Sequence, residues 1–174
     1  MLFKDFLKEL EKVFTKIDKK AFDGFVSEIK KAKRVYVVGA GRSGLVAKNL
    51  AMRLVRLGKE VFVIGETVTP VVKSGDLLIA ISGSGETGSV LSAVKICRVK
   101  GTKILGVTGV VDSPLAKLSH LLIIIPAQIP QRLGSHYQLR ELVGVPERSP
   151  TKSLFEVCAL IFFEVGVSKL SGNQ

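Results

Sequence analysis

The spacing of hydrophobic residues changes along the chain. Over the first 20 residues apolar side chains recur every three or four positions, the period of one face of an α-helix, and a second helix is predicted at about 21–32. From Arg34 onward, short apolar runs rich in β-branched residues alternate with segments of helical period. The predicted strands are 34–38, 60–64, 76–81, 103–107 and 120–125. The helices predicted to follow are 43–57, 88–100, 113–118 and 153–170.

This alternation of strands and helices predicts an α/β fold. Strands joined through helices form a parallel sheet, and right-handed crossovers place the helices on both faces. We therefore expect a doubly wound, five-stranded parallel sheet of order 2-1-3-4-5, flavodoxin-like, with helices added at both ends. One domain is expected over 1–174: N-terminal helices at 1–33, an α/β core at 34–126, a long loop at 127–148 and a C-terminal helix at 149–174.

The composition predicts a soluble protein that would attract anionic ligands. Hydrophobic residues make up 47% of the 174 positions, yet no apolar run approaches the roughly 20 residues of a membrane span. The lysine-studded start has no apolar signal region, so a cytoplasmic protein without a membrane partner is predicted. The net charge of +11 comes partly from lysines spaced as a solvated helix face. Nucleic acid is therefore not an expected partner, whereas a positive field would attract a phosphorylated metabolite.

Cysteines and histidines give no metal site. Cys97 and Cys158 lack metal-ligand spacing and fall among helical apolar residues, so both are predicted to be small core residues. His120 starts a predicted strand and is interpreted as structural. His136 lies in the long loop between Arg132 and Arg140, where it is either a lid over the site or an ordinary exposed residue.

A first glycine-rich loop follows the first strand. Gly39-Ala40-Gly41-Arg42-Ser43-Gly44 matches the G-x-G-x-x-G pattern of dinucleotide-binding folds, and Glu66 follows the second strand, where such folds carry a ribose-binding acid. Glycines let the backbone approach an anion, and the helix start offers free N–H groups. Pyrophosphate and sugar phosphate would be served alike, so this loop alone leaves both ligands open.

A second loop of the same kind follows the third strand. It reads Ser82-Gly83-Ser84-Gly85-Glu86-Thr87, with three hydroxyl groups ahead of a predicted helix. In the order 2-1-3-4-5 the first and third strands are neighbours, so both loops meet at one crevice of the sheet. A compact phosphorylated sugar can use both loops. The candidate binding residues are Gly41, Arg42, Ser43, Ser82, Gly83, Ser84, Gly85 and Thr87.

With these loops the sequence resembles the SIS (sugar isomerase) domain family. That family carries an SxSGxT-like loop, matched here by 82–87. Two further segments, Gly65-Glu66-Thr67-Val68-Thr69-Pro70 and Ser153-Leu154-Phe155-Glu156, are similar to the 6-phospho-3-hexuloisomerases within it. The similarity runs through about 34–126 and again through 153–170.

The resemblance implies a specific reaction. It would move a carbonyl between C3 and C2 of a hexulose 6-phosphate, giving fructose 6-phosphate, without metal or organic cofactor. Glu156 matches the family's glutamate and is the implied catalytic base. Arg42 and Ser43 would bind hydroxyls or phosphate, and Glu66 and Thr67 would line the mouth of the site or cap a turn. The family also implies a homo-oligomer, a dimer or a tetramer.

Two features depart from the hexuloisomerase pattern: Arg56, and the stretch after the last helix, where those enzymes tend to continue into a segment with another histidine. Arg56 stands where these enzymes usually carry a histidine, and arginine can bind phosphate or polarise a carbonyl but cannot exchange a proton. Pro150-Thr151-Lys152 before the last helix is instead similar to the arabinose 5-phosphate isomerases. Three alternatives therefore stay open: another phosphosugar isomerase, a non-catalytic phosphosugar-binding module and a dinucleotide-dependent enzyme.

Overall fold

The architecture is a five-stranded parallel sheet with helices on both faces. The structure, a computed structural model, describes residues 3–127 and 154–172. The strands β1 to β5 are Arg34–Gly39, Glu60–Val63, Leu77–Ile81, Lys103–Thr108 and Leu121–Ile124, in the order β2-β1-β3-β4-β5. The helices α1 to α6 are Phe3–Phe14, Lys19–Lys31, Gly41–Arg56, Gly88–Val99, Pro114–Leu118 and Leu154–Leu170. The predicted fold class and strand order are confirmed.

The two faces of the sheet bury separate hydrophobic clusters. Alternate residues of β1 point to opposite sides, as a strand requires: Val35 and Val37 join one cluster, whereas Tyr36 and Val38 join the other. The first cluster packs against α1, α2, α3 and α6, and the second against α4 and α5. Every residue of the central strand β3 is buried. Helices α3 and α4 therefore leave the neighbouring strands β1 and β3 toward opposite faces.

A partly buried ion pair joins the starts of β1 and β3. Arg34 donates from Nη2 to Asp76 Oδ2 at 2.7 Å and from Nε to Oδ1 at 3.1 Å. The backbone N–H of Lys73 donates to the same carboxylate at 2.7 Å. Asp76 was expected to begin the third strand; instead its side chain lies just before Leu77 and accepts these bonds. The pair fixes the edge of the sheet opposite the two glycine-rich loops.

Helix α6 packs between α2 and α3. Aromatic rings join it to α2, with Phe25 lying 5.3 Å from Phe162 and 5.5 Å from Phe163, centroid to centroid. Arg53 near the end of α3 pairs with Glu164 of α6 at 2.9 Å. The two helices run in the same direction, because Ser43 in the first turn of α3 contacts Glu156 in the first turn of α6.

Several sequence expectations fall outside the described residues. These are the loop at 128–148 with its candidate lid residue His136, and the segment Pro150-Thr151-Lys152 before the last helix. Within 3–127 and 154–172, none of the helices combines the length and the apolarity needed to cross a membrane.

Candidate active site

The two glycine-rich loops leave the sheet from adjacent positions. Gly39, the last residue of β1, pairs in register with Ile81, the last residue of β3. Neighbouring strands lie about 4.8 Å apart, so the loops begin side by side at the carboxyl edge. Because α3 and α4 then diverge to opposite faces, a crevice opens between the loops. Open α/β sheets bind their ligands at such a switch point.

The first loop depends on glycine for its tight path into α3. A β-carbon on Gly39 would lie 2.6 Å from the backbone oxygen of Ser43, closer than real contacts allow. Gly41 has a φ of 56°, in the left-handed region that favours glycine. These constraints bring the start of α3 directly against the end of β1, so its first N–H groups face the carboxyl edge of the sheet.

The second loop is closed by its own hydroxyl groups. Ser82, which is buried, lies 2.8 Å from Thr87, oxygen to oxygen, across the mouth of the loop. The N–H of Gly85 donates to both oxygens of Ser82, at 3.0 Å to the carbonyl and 3.1 Å to Oγ. The N–H of Glu86 donates to Ser84 Oγ at 3.2 Å. The loop is therefore a curved, internally bonded turn rather than an extended linker.

The helix starts at this crevice differ from two others in the fold. Asp18 caps α2 and Ser113 caps α5, each accepting an N–H bond from the first turn. At α3 and α4 the cap residues Ala40 and Thr87 make no such side-chain bond. Both uncapped starts carry the positive end of a helix dipole and N–H groups available to a ligand. Together they suit a phosphate or another oxyanion.

A carboxylate lies beside the first of these helix starts. Ser43 donates from Oγ to Glu156 Oε1 at 3.4 Å, and Arg42 Nε lies 3.9 Å from Glu156 Oε2. The side chain of Glu156 is 17% exposed and that of Arg42 is 34% exposed, so both are sheltered and still reachable. A carboxylate held in this way can take a proton from a bound ligand. The sequence indicated Glu156 only through resemblance, because Ser43 stands 113 residues earlier.

Glu66 and Thr67 lie on the exposed rim next to the first loop. Glu66 pairs with Lys48 of α3 at 2.7 Å, and this lysine lowers the pKa of the carboxyl. The turn is held by Thr69, whose Oγ1 donates to the carbonyls of Val63 at 2.7 Å and Glu66 at 2.8 Å. Thr69 is therefore the side chain that closes this turn.

Arg56 lies away from the other candidate residues. It ends α3, which begins with Gly41 at the crevice, so the two are separated by about 22 Å along the helix axis. Within one chain, Arg56 thus lies toward the opposite edge of the sheet. His120 is also remote: its Nδ1 accepts the N–H of Ile104 at 2.9 Å, which ties the start of β5 to β4.

The thiols and the acidic groups form no metal centre in the described part of the chain. Cys97 and Cys158 are free and buried, as predicted, and burial raises the pKa of both, that of Cys158 to about 11. Across 3–127 and 154–172 no three residues of the metal-binding types cluster closely enough to hold an ion.

The fold and the paired loops define an open α/β protein with a crevice at the carboxyl edge of a parallel sheet. Residues 28–138 match the SIS domain family. The chain belongs to this family.

Its relatives are consistent with the resemblance seen in the sequence. A protein of Mycobacterium gastri named 3-hexulose-6-phosphate isomerase is 41% identical over 90% of this chain and 74% of its own length. A Bacillus subtilis (strain 168) protein of the same name is 32% identical over 95% of this chain and 85% of its own length. These relatives support an isomerase.

Solved structures agree with the fold. A crystal structure of a Methanococcus jannaschii protein, from which a function as 3-hexulose-6-phosphate isomerase was inferred, has a TM-score of 0.75. It is 29% identical and covers 97% of this chain and 86% of the other. A hypothetical protein that is 34% identical has a TM-score of 0.82, with 97% of this chain and 86% of the other covered.

Proposed function

We propose that the chain interconverts 3-hexulose 6-phosphate and fructose 6-phosphate through an enediol, without metal or organic cofactor. The observation that carries the proposal is the position of the Glu156 carboxylate beside Ser43 and Arg42. These two residues lie at the start of α3, next to the second loop. The relatives named 3-hexulose-6-phosphate isomerase support the same reaction. In this proposal 1–174 act as a single SIS domain in the cytoplasm.

The second loop is assigned to the phosphate group. Its hydroxyls Ser84 and Thr87 and the start of α4 offer donors around one concave turn, and Gly83 and Gly85 let the backbone approach closely. Ser82 shapes the turn through its bonds to Thr87 and Gly85. The positive end of α4 favours the dianion, so the phosphate anchors the sugar with its carbon chain toward the first loop.

The first loop and Glu156 are assigned to the reacting carbons. Glu156 removes the proton from C2 of the 3-hexulose, and the C–H electron pair becomes the C2=C3 double bond of an enediol. The proton returns to C3 while the hydroxyl proton moves from O2 to O3, so the carbonyl ends on C2 with no net oxidation. Arg42, Ser43 and the N–H of Gly41 bind the oxygens on which charge develops. Glu66 and Thr67 border the open end of the crevice.

A paired assay tests this assignment. In buffer free of metal, the wild type should convert 3-hexulose 6-phosphate to fructose 6-phosphate and leave arabinose 5-phosphate unchanged. Glu156→Gln should lower kcat by about 10²–10⁴-fold with little change in the affinity for fructose 6-phosphate, because it removes the base but keeps the shape of the side chain.

Glu164→Gln is the matched control. It makes the same change on the same helix and likewise removes a charge that faces an arginine of α3. Because Glu164 pairs with Arg53 near the far end of α3, away from the crevice, this variant should keep full activity. Full activity in Glu156→Gln would overturn the assignment of the base. Turnover of arabinose 5-phosphate alone would select that isomerase class, and phosphosugar binding without any turnover would select a binding module.

We further propose that the protein is a homo-oligomer, a dimer or a tetramer. The outer face of α3 carries an apolar stripe in which Leu45 is 69% exposed, Met52 44% and Val55 52%. These residues recur at helical spacing along one side of α3, from Leu45 in its second turn to Val55 near its far end. A subunit contact there would cover the apolar area and begin close to the crevice at Leu45.

A further inference from the structure

The segment that follows β4 contacts the second loop from the side away from the crevice. Thr108 ends β4 and is fully buried, and Ser113 begins the turn into α5 with only 2% of its surface exposed. Neither residue was singled out as a site residue from the sequence. Both lie on the β4 side of β3, whereas the crevice lies between β3 and β1.

Three donors of this segment hold the carbonyl groups of the loop. Thr108 Oγ1 donates to the carbonyl of Gly83 at 3.0 Å, and the N–H of Gly109 donates to the same oxygen at 2.9 Å. The N–H of Leu115 donates to the carbonyl of Gly85 at 3.0 Å. The negative ends of two peptide groups are thereby held toward β4, away from the crevice where an anion would bind.

The same segment leaves room only for glycine at one position of the loop. Gly85 has a φ of 67°, and a β-carbon there would overlap the side chain of Ser113 and lie 3.0 Å from Thr108 Oγ1. Ser113 is itself fixed, because its Oγ accepts the N–H of Ala116 at 3.2 Å. Thr108 Oγ1 in turn accepts the N–H of Val110 at 3.2 Å. The side chains behind the loop are therefore themselves held by hydrogen bonds to the backbone.

We propose that Thr108 and Ser113 are positioning residues for phosphate binding: they fix the Ser82–Thr87 loop with its carbonyls turned away from the ligand and its donors turned toward it. This inference rests on the proposed function of the loop. A preorganised oxyanion site binds more tightly because its dipoles need no reorientation when the ligand arrives. Loss of the Thr108 hydroxyl leaves the Gly83 carbonyl with the N–H of Gly109 as its remaining donor of the three described above, so that peptide group is held less firmly.

The test compares Thr108→Val with two matched variants. Thr108→Ser keeps the hydroxyl. Thr102→Val makes the same substitution at a buried threonine, 1% exposed, that donates to the carbonyl of Lys73 at 3.4 Å at the opposite edge of the sheet. The measurements are the dissociation constant of fructose 6-phosphate by calorimetry, the inhibition constant of inorganic phosphate, and KM and kcat separately.

Thr108→Val should weaken fructose 6-phosphate and inorganic phosphate by about tenfold each and raise KM in parallel, while kcat changes by less than about threefold. Thr108→Ser and Thr102→Val should bind both ligands within about 1.5-fold of the wild type. Ser113→Ala, which keeps the β-carbon, should weaken binding by about threefold and carries the test if Thr108→Val does not fold.

Unchanged phosphate affinity in the folded Thr108→Val variant, or in Ser113→Ala where that variant must replace it, would overturn the inference. An equal loss in Thr102→Val, or no rescue by serine, would do so too. If the wild type binds fructose 6-phosphate but does not turn over 3-hexulose 6-phosphate, the proposed reaction is wrong. The positioning role of Thr108 can still be judged, because calorimetry compares the affinities of the variants without turnover. A wild type that binds no phosphosugar would reject the phosphate assignment of the loop and this inference with it.

Discussion

Cys97 and Cys158 are the two thiols of the chain, and both are buried and free. Because burial raises their pKa values, that of Cys158 to about 11, almost no thiolate exists near neutral pH in the folded state. We expect an aromatic disulfide reagent at about pH 8 to label neither thiol in the native protein and both after denaturation. Rapid labelling of one thiol without loss of structure would show that the core around it opens.

Among the individual residues of the candidate site, some could be predicted from the sequence and others could not. The glycines and hydroxyls of the two loops are contiguous, so their spacing indicated them directly. The contact between Ser43 and Glu156 depends on α3 and α6 lying side by side, which no local pattern specifies. Thr108 supports the loop from a neighbouring strand, and in the sequence it is only the last residue of an apolar run. Glu156 was reached by resemblance, and Thr108 needed the structure.

At the scale of the elements, periodicity predicted nearly all of the described fold. Strands such as Leu77–Ile81 are short apolar runs bounded by polar residues or glycine, and the helices between them end near Gly58 and Gly101. The packing of α6 was beyond such reasoning because this helix is apolar around most of its circumference. Its sequence does not indicate which side lies against α2: Gly166 is buried there, whereas the adjacent Val165 is 54% exposed.

The contact between α2 and α6 predicts a loss of stability when Gly166 is replaced by alanine. A β-carbon on Gly166 would overlap the ring of Phe25, which is fully buried among other aromatic rings and cannot move aside. Overlap with a buried ring places the overpacking cost in the upper part of its range, about 2–3 kcal/mol, and helix propensity returns up to about 1, so Gly166→Ala should destabilise by about 1–2 kcal/mol.

Gly24→Ala is the control for that substitution, measured by urea unfolding. Its β-carbon would meet only the flexible side chain of Leu121, at 3.2 Å, so its free energy of unfolding should stay within about 1 kcal/mol of the wild type. Equal effects of the two substitutions would contradict the described packing of α6 on α2.

At the scale of the whole molecule, the apolar stripe on α3 predicts self-association. Wild-type protein should sediment as a dimer or a tetramer at micromolar concentration. Met52→Glu places a charge within the stripe and should shift the population toward smaller species. Val99→Glu, at an 86% exposed apolar residue of α4, should leave the assembly unchanged. A monomeric wild type, or equal effects of both substitutions, would contradict an interface on α3.

If Glu156 exchanges a proton with a carbon of a bound phosphosugar, isotope exchange from solvent will report it. The protein is incubated with fructose 6-phosphate in D₂O, and the carbon-bound protons are followed by NMR. An enediol spanning C2 and C3 predicts that the C3 proton is replaced by deuterium in the wild type and in Glu164→Gln, and retained in Glu156→Gln. Retention of the C3 proton in the wild type, or exchange at C1 instead, would rule out a C2–C3 enediol formed through Glu156.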